Sequence, residues 1–401
     1  MLHSLFTIFS SSDKISLGIY KPNDIFLEEE EWKMRKKFSK IFALMMISIM
    51  VFSITGCGAD KDKTSKIEKS VERKEWKFKD QADNEVTVKV PVKSMVVLQH
   101  HSIDILAQLG AQDKIIGVES KWEADLGSYI KEAFPGIESL PTPGDLKSCN
   151  VEEIAKLKPD VVIAASQADP DSINKIKELG IPVVVISLRD EGKQKEAQNP
   201  ELKDADKAYT NGCKWAIEAL GKLTGKDEKA KELWQFCLDS RKIVEKSLED
   251  VSEKDRKTVF IANENNQTYG NDKYVGCMLE RAGGVNIAAK DIQGYKPYTF
   301  EQLANWNPDV IIVQDRYKEV YDSIIKDSNY KSLKAVKNGN VILAPYWTKP
   351  WGNPDADSIA LGELWLAHKL YPDKIDSKIV NERAQKFYKE FYGIEFKDKV
   401  E

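Results

Sequence analysis

The chain has 401 residues, enough for two lobes of ordinary size, with 60 Lys and Arg against 64 Asp and Glu. Those charges are spread along the sequence and leave a net charge of −4, which excludes a nucleic-acid-binding surface as the expected role. Five cysteines occur without a CxxC pair or a Cys/His cluster, so neither a structural zinc site nor an iron–sulfur site is expected.

Residues 1–33 carry an acidic run, Glu28 to Glu31, that no export signal needs. Translation is expected to start at Met34. Met34 to Lys40 is basic, and Ile41 to Ile54 is an apolar run of 14 residues, short of the roughly 20 that span a bilayer. It is followed by Ile54-Thr55-Gly56-Cys57. The pattern predicts a lipoprotein signal peptide over 34–56, cut before Cys57, whose thiol is acylated. Residues 57–75 then read as the lipidated cysteine and a polar tether.

The folded body is expected from residue 76. Two alternating segments around Trp76 and Val88 predict a hairpin, with Ala82-Asp83-Asn84 as its turn. Four apolar runs follow, at 95–98, 115–118, 161–164 and 183–186. They lack alternation, which predicts strands buried on both faces, as in a parallel sheet flanked by helices. Ser102 is placed to cap the helix after the first strand. Residues 76–204 thus form an N-terminal α/β lobe. Residues 205–252 read as helix with a joint at Gly225-Lys226-Asp227; the second part would run roughly 35 Å and could link two lobes rigidly. Residues 253–401 form a C-terminal α/β lobe that ends in helices. The fold class is α/β, two lobes with mainly parallel sheets joined by one long backbone helix.

One unit occurs twice. Val151 to Ile163 (VEEIAKLKPDVVI) returns 149 residues later as Phe300 to Ile312 (FEQLANWNPDVII). Each copy reads as a short helix, a Pro-Asp turn and a buried strand. Asn150 with Glu153, and Thr299 with Gln302, fit the capping-box pattern. That leaves Glu152 and Glu301 free to point outward.

Ligands of open α/β sheets sit beyond the carboxyl ends of the strands. Reading off those ends gives His100 and His101, Lys121 and Trp122, Gln167, Arg189, Asn266 and Tyr269, Arg316, and the aromatic loop with Tyr346, Trp347 and Trp351. Imidazole and guanidinium suit oxyanions, and aromatics on a proline-stiffened loop suit a bulky ligand. There is no GxSxG, HExxH or phosphate-binding glycine loop. No catalytic residue, resident metal or cofactor is expected, and the chain is not read as an enzyme. The rivals from other classes are an enzyme of related bilobal architecture, such as a metal-cluster oxidoreductase or chelatase, and a purely structural surface lipoprotein.

Leu109-Gly110-Ala111 with Ile116-Gly117-Val118, the Glu152 to Ile163 unit, and Leu279 with Ala282-Gly283-Gly284-Val285-Asn286 resemble the substrate-binding proteins of ABC importers for ferric siderophores, haem and cobalamin. These are the helical-backbone class, and the resemblance spans about residues 75–375. It implies a lipid-anchored, monomeric binding protein on the extracytoplasmic face of the cell membrane, which hands its cargo to a permease dimer with its ATPase. It also implies that Glu152 and Glu301 dock on permease arginines. The expected cargo is an iron–siderophore or a similar anionic metal chelate. The alternative is molybdate or tungstate, since Lys349 to Pro354 looks like the stretch in relatives that take such oxyanions. Cobalamin, haem and nickel chelates stay open.

Overall fold

The computed structural model describes residues 73–192 and 199–400. The expected signal peptide, Cys57 and all but the last residues of the tether lie outside the described residues. The described chain opens with an antiparallel hairpin, β1 (Lys74–Lys79) and β2 (Glu85–Val90). Asp80 builds its turn by accepting from the backbone N–H groups of Ala82 and Asn84, both at 2.9 Å.

The first sheet contains β3 (Met95–Leu98), β4 (Ile115–Val118), β5 (Val161–Ala165) and β6 (Val183–Ile186). They pair in parallel in the order β4-β3-β5-β6. Nearly every side chain of these strands is buried, because α1 (His100–Gln108), α2 (Val151–Leu157) and α3 (Pro170–Glu178) supply the crossovers. Two longer helices follow, α4 (Ala205–Thr224) and α5 (Asp227–Ser247). Gly225 between them has φ 73°, the left-handed turn that ends α4. The second of these helices thus stops at Ser247, short of residue 252, where the helical stretch is expected to end.

The second sheet repeats the plan. Strand β7 (Lys257–Ala262) leads to a small hairpin strand, β8 (Gln267–Tyr269), then to α6 (Tyr274–Arg281) and β9 (Gly284–Asn286). β10 (Tyr295–Pro297) closes the hairpin with β8. α7 (Phe300–Trp306), β11 (Val310–Val313) and β12 (Val341–Leu343) complete the parallel order β12-β11-β7-β9. The C-terminal helices include α8 (Glu363–Leu370) and α9 (Ser377–Phe387).

The repeated unit folds the same way twice. Lys158 and Asn307 end their helices with φ of 51° and 44°. The aspartate of each Pro-Asp turn then accepts the backbone N–H of the neighbouring chain: Asp160 from Lys93 at 2.6 Å, and Asp309 from Thr258 at 2.8 Å. The Asp in the motif therefore ties each returning strand to its sheet. The capping box is reciprocal only in the second copy, between Thr299 and Gln302; in the first, Asn150 accepts from Glu153 N–H. Glu152 and Glu301 are both exposed.

Candidate functional site

Helix α1 begins earlier than its sequence suggests. Its N-cap is Gln99, and Ser102 lies inside the first turn, donating its hydroxyl to Gln99 Oε1 at 2.6 Å. This start puts His100 and His101 in the first turn, at the carboxyl end of β3. Their rings lie 4.2 Å apart between centroids, and both are buried. His100 Nδ1 is 2.9 Å from Glu119 Oε1 and 3.4 Å from Asp125 Oδ2. Glu119 is fully buried and its second oxygen has no hydrogen-bond partner among the described residues. Neither ring nitrogen of His101 has one either. Burial, helped by His100, Lys349 and Arg316, holds His101 well below the usual histidine pKa, so it is a neutral imidazole.

These histidines form one wall of a cavity of about 280 Å³. Gln99, Asp125, Leu146 and Gln167 complete that side. The second lobe contributes Glu264, Tyr269, Lys273, Tyr295, Arg316, Tyr317 and the loop Trp351-Gly352-Asn353. Arg316 reaches across: its Nη1 is 3.1 Å from Asp125 Oδ1, and its Nε donates to Gln314 at 2.9 Å. Its guanidinium lies 4.4 Å over the Trp351 ring. Trp351 stands edge-on to both histidines, at 5.6 and 5.4 Å, and its indole N–H is buried without a hydrogen-bond acceptor among the described residues. Burial, with Arg189 adding to it, lowers Lys273 to about 8. Burial raises Tyr269 to about 12, so its hydroxyl stays a donor.

Gly362 positions the aromatic loop. A Cβ there would sit 2.2 Å from the Thr348 carbonyl oxygen, so the helical segment before α8 can lie directly under the loop only without a side chain.

Six of the twelve expected ligand residues line this cavity: His100, His101, Gln167, Tyr269, Arg316 and Trp351. The other six are elsewhere. Lys121 is exposed beside Asp145. Trp122 opens a short helix, Trp122–Leu126, and packs into the core. Arg189 is buried, with Nη1 3.4 Å from the Ser187 carbonyl, and Gly212 lets α4 press against its backbone. Asn266 is exposed; its carbonyl accepts from Tyr298 N–H. Tyr346 stacks on Tyr129 at 5.3 Å, and Trp347 is fully buried, donating to Asp398. Asp125, Glu264, Lys273 and Tyr295 were not anticipated. Of these, Lys273 had a sequence signal, as the residue at the start of α6.

The cavity offers a guanidinium, an ammonium, imidazoles, phenols and an indole N–H, together with three carboxylates at or next to its walls. That set suits a small anion or a metal complex. The four described cysteines after Cys57 are all free thiols. Among the described residues no helix is long and apolar enough to cross a membrane.

The profile of the periplasmic binding protein family matches residues 95–346. The molybdate-binding protein MolA of Haemophilus influenzae is 41% identical over 318 residues, covering 78% of this chain and 91% of MolA. A solved structure of MolA bound to molybdate superposes with a TM-score of 0.76 at 39% identity, covering 80% of this chain and 99% of that one. The petrobactin-binding protein YclQ of Bacillus subtilis is 24% identical, covering 77% of this chain and 90% of YclQ. These relatives bind cargo for transport and are not enzymes. The chain belongs to the periplasmic binding protein family, as the substrate-binding component of an ABC importer.

Proposed function

We propose that this cleft captures a molybdate-type tetrahedral oxyanion and delivers it to an ABC permease. One observation carries the reading: the cavity is about 280 Å³, at the lower limit of the ~300–1,000 Å³ of sites for drug-sized ligands. It is small for an iron–siderophore, the cargo first expected, and ample for a tetrahedral anion. The donors fit that cargo. Arg316 and Lys273 supply charge, and His101 and the Trp351 N–H are buried groups without hydrogen-bond partners among the described residues; such groups gain most from a ligand that satisfies them. The 41% identity to a molybdate-binding protein supports the same choice.

The test is calorimetric titration of the full chain with molybdate, tungstate, sulfate and a ferric siderophore. Saturable binding of molybdate or tungstate, and none of the siderophore, is expected. Siderophore binding alone would return the assignment to iron uptake. A second reading has one observation behind it: ligand atoms of His100, Glu119 and Asp125 lie within 4.8 Å of one another, a donor set that suits a transition metal in a cargo chelate. A nickel or ferric chelate in the same titration tests it.

Delivery falls to Glu152 and Glu301, which stand at equivalent exposed positions on the two copies of the repeated unit and are offered as the permease contacts. Anchoring through acylated Cys57 completes the proposal, with the body as a monomer outside the cytoplasmic membrane.

A further inference from the structure

Beneath the cleft lies a cluster of charges with no access to solvent. Lys349, Asp104, Asp355 and Asp357 are each fully buried. The Lys349 ammonium is hydrogen-bonded to Asp104, lies 2.6 Å from Asp357 Oδ2 and 3.5 Å from Asp355 Oδ2. Asp104 also accepts from the hydroxyls of Tyr129 and Tyr392, each at 2.7 Å, and from Gln108 Nε2 at 3.1 Å. Asp104 comes from the first lobe; Lys349, Asp355 and Asp357 come from the second.

The position of this cluster gives it meaning. Asp104 is one helical turn beyond His100 and His101 on α1, so the three side chains share a face. Lys349 is two residues before Trp351 and holds a left-handed φ of 40°, with its carbonyl accepting from Trp351 N–H at 2.7 Å. Its ammonium is 5.4 Å from the Trp351 ring centroid. One buried ion pair therefore joins the element that carries the histidines to the element that carries the tryptophan, and Arg316 rests on that tryptophan.

We propose that Lys349 is a specificity-determining positioning residue: pinned to Asp104 under the cleft, it fixes the spacing between the histidine wall and the Trp351–Arg316 wall. This rests on the small-anion reading of the cleft. A cleft of fixed width selects by size, because an anion that does not bridge both walls leaves donors unpaired. A cleft free to open would adapt to each anion and lose that selection.

The experiment compares molybdate and sulfate binding to the full chain, purified in detergent, with the double variant Lys349→Met, Asp104→Asn. That pair of changes removes the cation and its main partner together. A thermal melt first establishes that the variant is folded. The expected result is a fall of about tenfold or more in the preference for molybdate over sulfate. A lower melting temperature with an unchanged preference would reduce the pin to a structural role and overturn the proposal, as would a wild type without any preference. A wild type that binds neither anion would overturn the small-anion reading instead. Should the variant not fold, spin labels at Lys156→Cys and Glu319→Cys, one exposed site on each lobe, with Cys149→Ser, decide the matter in a chain with the pin intact. The inter-lobe distance is expected to stay within ~2 Å on adding molybdate; a larger closure overturns fixed width.

Discussion

Arg316 pairs with Asp125 across the cleft, Nη1 to Oδ1 at 3.1 Å, and both side chains are about one-fifth exposed. The same aspartate lies 3.4 Å from His100. Asp125 therefore occupies donors, the Arg316 guanidinium above all, that an incoming anion would need. Asp125→Asn should tighten molybdate binding several-fold by removing a competing negative charge, while Arg316→Ala should weaken it by about 1.5–3 kcal/mol. Calorimetry on both variants checks the pair; equal affinities across wild type and both variants would take this ion pair out of the binding site.

Lys273 makes the site sensitive to alkali. Burial lowers it to about 8, and a bound anion would favour its charged form, raising its pKa in the complex. Affinity is then greatest below pH 8 and falls as pH rises from about 8 toward the pKa of the complex. His101 is neutral well below this window and adds no slope to it. Molybdate titrations at pH 7, 8 and 9 should show the decline, and Lys273→Met should flatten it. A wild-type profile that is level across that range would remove Lys273 from the anion's contacts.

How much of this could be read from the residues depends on where the determining contact comes from. The eight central strand segments are local: apolar runs such as Val183 to Ile186 declare a buried parallel strand by themselves, though three-residue β9 hides behind Gly283 and Gly284. The cleft is less local. Counting outward from strand ends finds His100, Gln167 and Arg316 because the chain enters the cleft directly there. It fails at Trp122, which begins a helix that turns back into the core, and at Trp347, whose partner Asp398 is 51 residues away. It cannot find Asp125 or Tyr295, which reach the cavity from a helix and from the β8–β10 hairpin. Ser102 misled for a chemical reason. A serine near a helix start reads as a cap, but here its hydroxyl bonds the side chain of Gln99, the true cap position.

The repeated unit yields a prediction about transport that leaves binding alone. Glu152 and Glu301 are exposed in the first turns of α2 and α7, and neither lines the cavity. Replacing both with alanine should leave molybdate affinity unchanged and abolish uptake into cells or proteoliposomes carrying the cognate permease. Normal uptake by the double variant would show that delivery uses other surfaces.

The buried cluster around Lys349 allows a stability prediction with a definite sign. Removing one member of a buried ion pair typically costs about 3–5 kcal/mol, because the remaining charge is left uncompensated. Lys349→Met leaves three carboxyl groups facing one another without a cation. Burial already pushes Asp355 and Asp357 above the usual carboxylate range, against the pull of Lys349, and losing the ammonium pushes them further. A carboxyl whose pKa is higher in the folded than in the unfolded chain contributes stability that is fully present below its unfolded value and is lost as pH rises through its folded value. The variant should therefore be hurt most near pH 8 and least near pH 5, where its folded state takes up protons in place of the lysine. Denaturant melts of wild type and variant at the two pH values measure this directly. A penalty that is the same at both would mean that the aspartates do not respond to the missing charge, and that Lys349 acts there only by filling space.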